Sequence, residues 1–189
     1  MEKMMRAQWW KILSVMLVTL CLIVGMLIPL KPNLQSVTPR AATPGETVVL
    51  EVTGYNTSFV EGETQAWLRA APELSLPATN VRVLDARRAE LTFAVPRYVP
   101  RPERGKQTYA IIVNTNQDGA FVDPLGLTVR ETEPAPSQEL AEAPWRANAL
   151  QKGDLTATPY TTFPFRGHLA ETIRNTYFHV SLWFAMIFV

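Results

Sequence analysis

With 189 residues, 18 Lys and Arg against 17 Asp and Glu, and a formal net charge of +1, the chain offers no basic surface to a nucleic acid. At 47% hydrophobic residues it is not a disordered composition either. The single cysteine, Cys21, excludes a disulfide within the chain and a cysteine-based zinc site, and no nucleophile, base and orienting group lie in reach of one another, which argues against an enzyme.

The first element spans residues 1–31. Lys3, Arg6 and Lys11 stand against Glu2, residues 12–28 are apolar apart from Ser14, Thr19 and Gly25, and Pro29 and Lys31 end the run. Flanked by Trp9, Trp10 and Leu30, this approaches the roughly 20 residues that a membrane-spanning helix needs. The basic residues ahead of it predict a cytoplasmic amino terminus. The apolar core exceeds the roughly 7–15 residues of a cleaved signal, and Pro39-Arg40-Ala41-Ala42 puts arginine where a small residue is required, so an uncleaved anchor is expected.

From residue 34 to 130 the period changes to two. Val48, Leu50 and Val52, then Leu91, Phe93 and Val95, then Tyr109, Ile111 and Val113 each fall on one face of a short run. Residues 65–70, 80–84 and 125–129 are weaker strand candidates, and Pro44-Gly45, Gly54, residues 116–119 and Asp123-Pro124 are turn signals between them. About seven strands in so short a span predict an all-β sandwich. This module has no histidine and no cysteine, and Glu51, Glu61, Glu63, Glu73, Asp85 and Glu90 are scattered at solvent-facing or turn positions. Asn114, Asn116, Asp118 and Asp123 have oxygen ligands at a spacing that suits calcium, although a polar hairpin loop explains them more simply. Asn56, within Asn56-Thr57-Ser58, reads as a turn residue rather than a glycosylation acceptor.

Residues 131–168 hold five prolines and four glutamates, a composition that predicts a flexible linker with one or two helical turns near residues 140–150. His168, near its end, is expected to face solvent. Residues 171–189 then turn from polar to apolar, with Tyr177 and Trp183 as boundary-seeking aromatics and an unbroken apolar run over residues 182–189. Eight apolar residues fall short of a hydrocarbon layer about 30 Å thick, so the segment reads as the start of a second membrane helix in a truncated chain. On a helix Thr172, Asn175, His179, Trp183 and Met186 share one face. A neutral imidazole there is able to ligate iron beside an aromatic ring, while the plainer alternative is an interfacial histidine.

Two resemblances add to this reading. Ser36-Val37-Thr38-Pro39, Pro44-Gly45-Glu46-Thr47-Val48-Val49-Leu50 and Gly54-Tyr55-Asn56 resemble the IPT/TIG group of immunoglobulin-like domains. Thr172-Ile173-Arg174-Asn175, Tyr177-Phe178-His179-Val180 and Leu182-Trp183-Phe184-Ala185-Met186, with Trp9-Trp10-Lys11-Ile12-Leu13 ahead of the first apolar run, resemble the haem-handling cytochrome c assembly family of the CcmC/CcsA type. Ser181 stands where that family usually has proline, and its tryptophan-rich motif and second histidine are not among these residues. The resemblance implies His179 as a haem axial ligand, Trp183 and Tyr177 as residues of the haem pocket, and haem bound as cargo. It implies a bacterial inner-membrane protein, multi-pass in full, with its sandwich on the periplasmic side and with a membrane haem chaperone and ABC-type transporter components as partners. A membrane-tethered immunoglobulin-like adhesion or scaffold protein is the alternative that the same segments allow.

Overall fold

A computed structural model describes residues 2–100, 108–130, 135–147, 149–165 and 172–187. They divide into two compact units, one formed by residues 1–31 with 161–189 and the other by residues 32–160.

In the first unit, helix α1 (Glu2–Leu27) contains a 19-residue stretch, Trp9–Leu27, that is long and apolar enough to cross a membrane. Its apolar side chains point in every direction, and Ile12, Val15, Leu17, Met26 and Leu27 are all more than half exposed. Its two hydroxyls are satisfied on the helix itself, Ser14 Oγ donating to the Trp10 carbonyl and Thr19 Oγ1 to that of Val15, both at 2.8 Å. A helix apolar all round that satisfies its own polar groups needs no water on any side. The final helix, taken up below, belongs to this unit.

The second unit is a β-sandwich-like pair of sheets. Its strands are β1 (Asn33–Thr38), β2 (Ala41–Ala42), β3 (Thr47–Tyr55), β4 (Gln65–Ala71), β5 (Leu74–Pro77), β6 (Asn80–Asp85), β7 (Arg88–Ala94), β8 (Thr108–Thr115) and β9 (Gly119–Val129). They form a four-stranded sheet in the order β1-β3-β7-β6 and a five-stranded one in the order β2-β9-β8-β4-β5. All pairings are antiparallel except β2 with β9. The alternation read from the sequence matches the burial. Leu50, Val52, Leu91, Phe93, Val95, Tyr109, Ile111 and Val113 all lie in one core, with Val48 packed partly against it. In β3–β7 the register sets Leu50 opposite Leu91 and Val48 opposite Phe93, so inward-facing residues meet in pairs. Gly45 takes φ +84° in the turn before β3, and Gly54 passes so close to Thr57 that a Cβ would overlap it. Asn56 holds φ 54° in the turn that follows β3. Strand β6 lies at a sheet edge, and its Val83 N–H donates away from the sheet to the Glu61 carboxylate at 2.7 Å.

The expectation of a flexible linker over residues 131–168 is corrected across residues 137–160. Helix α2 (Gln138–Arg146) starts at Ser137, whose hydroxyl accepts the Leu140 N–H at 3.2 Å, and carries a Glu142–Arg146 ion pair on its outer side. Its inner side delivers Ala141 and Trp145, and Leu150 follows, all three buried. Trp145 is 0% exposed and stacks on Tyr109 with ring centroids 5.0 Å apart. The backbone N–H of Leu150 donates to Ser75 Oγ at 2.6 Å, tying the segment to the edge strand β5. Three large or close-fitting apolar residues spaced by four and five outweigh the proline and glutamate around them, because their burial offsets the ordering entropy.

The fragment 32–160 should therefore fold alone with a strand-dominated circular dichroism spectrum, whereas 32–132, lacking Trp145 and Leu150, should unfold at lower urea. Trp145→Ala in the longer fragment should cost about 3–5 kcal/mol, measured by urea denaturation. Equal midpoints for the two fragments would show that α2 is not part of the fold.

Candidate functional site

Helix α3 (Thr172–Ile187) belongs to the first unit. Its first turns lie against the last turn of α1: Ile173 is buried, Arg174 Nη1 donates to the Met26 carbonyl at 2.5 Å, and the Phe178 ring covers Gly25 so closely that a Cβ there would stand 2.5 Å from ring carbon Cζ. Just outside the helices, Lys31 N donates to the Phe163 carbonyl (2.7 Å) and Phe163 N to that of Pro29 (2.9 Å), a two-bond bridge between the chain leaving α1 and the chain approaching α3.

The face read from the sequence is on the helix as expected. Thr172, Asn175, His179, Trp183 and Met186 are all exposed, Trp183 to 66%. His179 and Trp183 are one turn apart, a rise of about 6 Å along the axis. Tyr177 is a residue of α3, but its side chain lies outside the described ones, as does all of His168. An imidazole on an open helix face, with an indole one turn further on, is able to offer one nitrogen to a metal centre and an aromatic surface to a flat ligand. Among the described residues no three His, Cys, Asp or Glu side chains come together as a metal site.

What the sequence did not disclose is the anchoring. Gly25 and Arg174 are the signals in hindsight: the first is the one glycine in the apolar run of α1, the second the one charge between Glu171 and Val189. Each is explained by a partner on the other helix, and periodicity within one segment carries no information about that partner.

The calcium alternative at the β8–β9 hairpin resolves as a polar loop. Asp118 is buried, accepts the Ser58 N–H at 2.5 Å and the Tyr160 O–H at 3.4 Å, and its own N–H donates to Thr115 Oγ1 at 2.9 Å. Asn114 Oδ1 accepts the Thr156 N–H at 2.9 Å, and Asp123 faces Arg40 at 3.6 Å while accepting the Leu125 N–H. The side chains of Asn114, Asp118 and Asp123 are thus spent on holding the chain together, and Asn116 is exposed. Gly119, at φ +78°, lets residues 156–158 cross the hairpin, where a Cβ would stand 2.5 Å from the Thr158 nitrogen. Thr156 completes the strap by accepting the Ala120 N–H at 2.9 Å. The carboxylates Glu51, Glu61, Glu63, Glu73 and Asp85 are exposed, and Glu90 half-buried, in keeping with a solvated surface.

Compared with known proteins, the chain matches no family model and no curated protein.

The strap makes two measurable predictions on the fragment 32–160. Gly119→Ala, which forces a side chain into a left-handed backbone and into residues 156–158, should destabilise it by about 1–3 kcal/mol in urea denaturation. Burial, reinforced by the negative Asp118 beside it, pushes the Tyr160 phenol above its ordinary value. A raised folded-state value means that this contribution to stability is complete below the ordinary tyrosine range and is lost as pH rises through the folded one. Stability should thus fall as pH rises through the ordinary tyrosine range, about 10, and beyond it, and Tyr160→Phe should flatten that part of the profile.

Proposed function

We propose that the chain is part of an integral membrane protein of the CcmC/CcsA type, which binds haem and delivers it at the outer face of a bacterial inner membrane for cytochrome c maturation. The observation that carries this reading is the exposed His179–Trp183 pair on a helix whose first turns are fixed to the end of an apolar helix of spanning length. The basic residues before α1 favour a cytoplasmic amino terminus, so the end of α1, the start of α3 and the sandwich belong to the outer side. His179 gives haem one axial nitrogen, Trp183 and Tyr177 flank the porphyrin, and the cargo is held and released without a covalent step. A membrane haem chaperone and ABC-type transporter components are its partners in this reading.

The sandwich is of the immunoglobulin-like type in the same proposal. Two features support it. The sheet orders β1-β3-β7-β6 and β2-β9-β8-β4-β5 follow the immunoglobulin pattern, in which the first strand divides its pairing between the two sheets. Tyr109, near the start of β8, donates its O–H to the Pro100 carbonyl at 2.7 Å, the arrangement of a tyrosine corner. Trp67, on the strand where such domains bury a tryptophan, is only half-buried, and Trp145 of α2 packs on Tyr109 instead.

His179→Ala in the intact protein should leave its membrane level unchanged, since alanine is the better helix former and Trp183 still anchors the boundary. Haem that co-purifies should drop several-fold and its Soret band should shift, while His168→Ala should alter neither. Unchanged haem in His179→Ala would remove the ligand assignment and leave the membrane-tethered adhesion or scaffold protein as the better reading.

A further inference from the structure

We infer that Arg174 is a positioning residue, a cap supplied by α3 to the end of α1 that fixes the rotation of α3 and thereby turns the His179–Trp183 face away from α1. The functional half of this inference rests on the haem reading above.

A helix leaves its last carbonyls without partners and gathers negative partial charge at that end. Many helices answer with a glycine-based cap or with a basic residue in the last turn. The last turn of α1 contains no basic residue, and it is Arg174, nearly 150 positions further along the chain, that donates to the Met26 carbonyl. The same guanidinium lies over the Phe163 ring, 5.9 Å from its centroid, and Phe163 is itself held to Pro29 and Lys31 by backbone bonds. Arg174 thus touches the end of α1 directly and, through Phe163, the segment that leaves it.

Arg174 and Phe178 are four residues apart and so share a face, the one that meets α1. At about 100° per residue, His179 lies roughly 100° from Phe178 and 140° from Arg174 around the axis. Turning α3 by a single residue step would carry His179 from the open side into α1. Phe178 on Gly25 is an apolar contact that tolerates sliding, whereas a hydrogen bond from a planar fork to one carbonyl has a fixed direction. Arginine is the residue that sets the angle.

The test uses the intact protein in its membrane, with Cys21→Ser and the pair Gly25→Cys and Phe178→Cys, bridged by a short bis-maleimide. Arg174→Met should lower the cross-linking yield by about threefold to tenfold at unchanged protein level, and in the background with Gly25 and Phe178 intact it should lower bound haem. Arg174→Lys, which keeps the charge but loses the planar fork, should fall between the two on both measurements. If Arg174→Met fails to accumulate, the Arg174→Lys variant decides alone, and a wild-type cross-linking yield in it overturns the inference. Normal cross-linking in Arg174→Met overturns it as well, as does lost cross-linking with full haem when His179→Ala has lost its haem. Retention of haem in His179→Ala is a different failure: it removes the haem reading, while cross-linking still decides whether Arg174 caps α1.

Discussion

The sandwich turns on one side chain, the fully buried Tyr109. Its ring is part of the inner layer of the five-stranded sheet, its hydroxyl reaches the Pro100 carbonyl, and its face is covered by Trp145. A buried phenol is costly unless the O–H is bonded, so the position of residue 100 at the sandwich end is dictated by the need to satisfy it. A ring also needs apolar cover, and the nearest cover comes from a helix that lies outside both sheets. The indole of Trp145 bears a corresponding cost, since its N–H has no acceptor among the described residues. Aromatic stacking and area burial outweigh that one unmade bond.

The parts legible in the sequence are those decided within a few residues. Val48, Leu50 and Val52 alternate because one face of β3 is buried, and the same holds for β7 and β8, so three strands and their inward residues could be named before any pairing was known. The face of α3 that carries His179 is similarly a matter of local spacing. The helical turns near residues 140–150 are legible, but their packing is not, because composition describes an average and five prolines across residues 131–168 hide the spacing of Ala141, Trp145 and Leu150. Proline at 144 does not prevent a short helix when a serine cap opens it and a tryptophan anchors it. The Arg174–Met26 bond was out of reach for another reason: nothing in either segment encodes the identity of the other.

The two units satisfy their polar groups in different ways. In residues 32–160, polar atoms are paired across long sequence separations, as Asp118 is with Ser58 and Tyr160, and water remains available at the surface for the rest. In α1 the hydroxyls of Ser14 and Thr19 turn back to their own helix, and Arg174 donates to a carbonyl of its final turn. Local satisfaction is what an apolar surround imposes, and it leaves the contact between helices to small residues and shape, as with Gly25 beneath Phe178.

The bond from Val83 to Glu61 lies on the rim of the four-stranded sheet. A rim strand presents N–H groups at the spacing of another strand, which is the template on which sheets grow from one molecule into the next. Glu61 occupies that position with a carboxylate, so an incoming strand must strip away a charged acceptor before it can pair, and Arg82 and Asp85 add charge to the same strand. This edge of the sheet is thus guarded by an exposed loop glutamate, a side chain whose work is done at the rim and not in the interior.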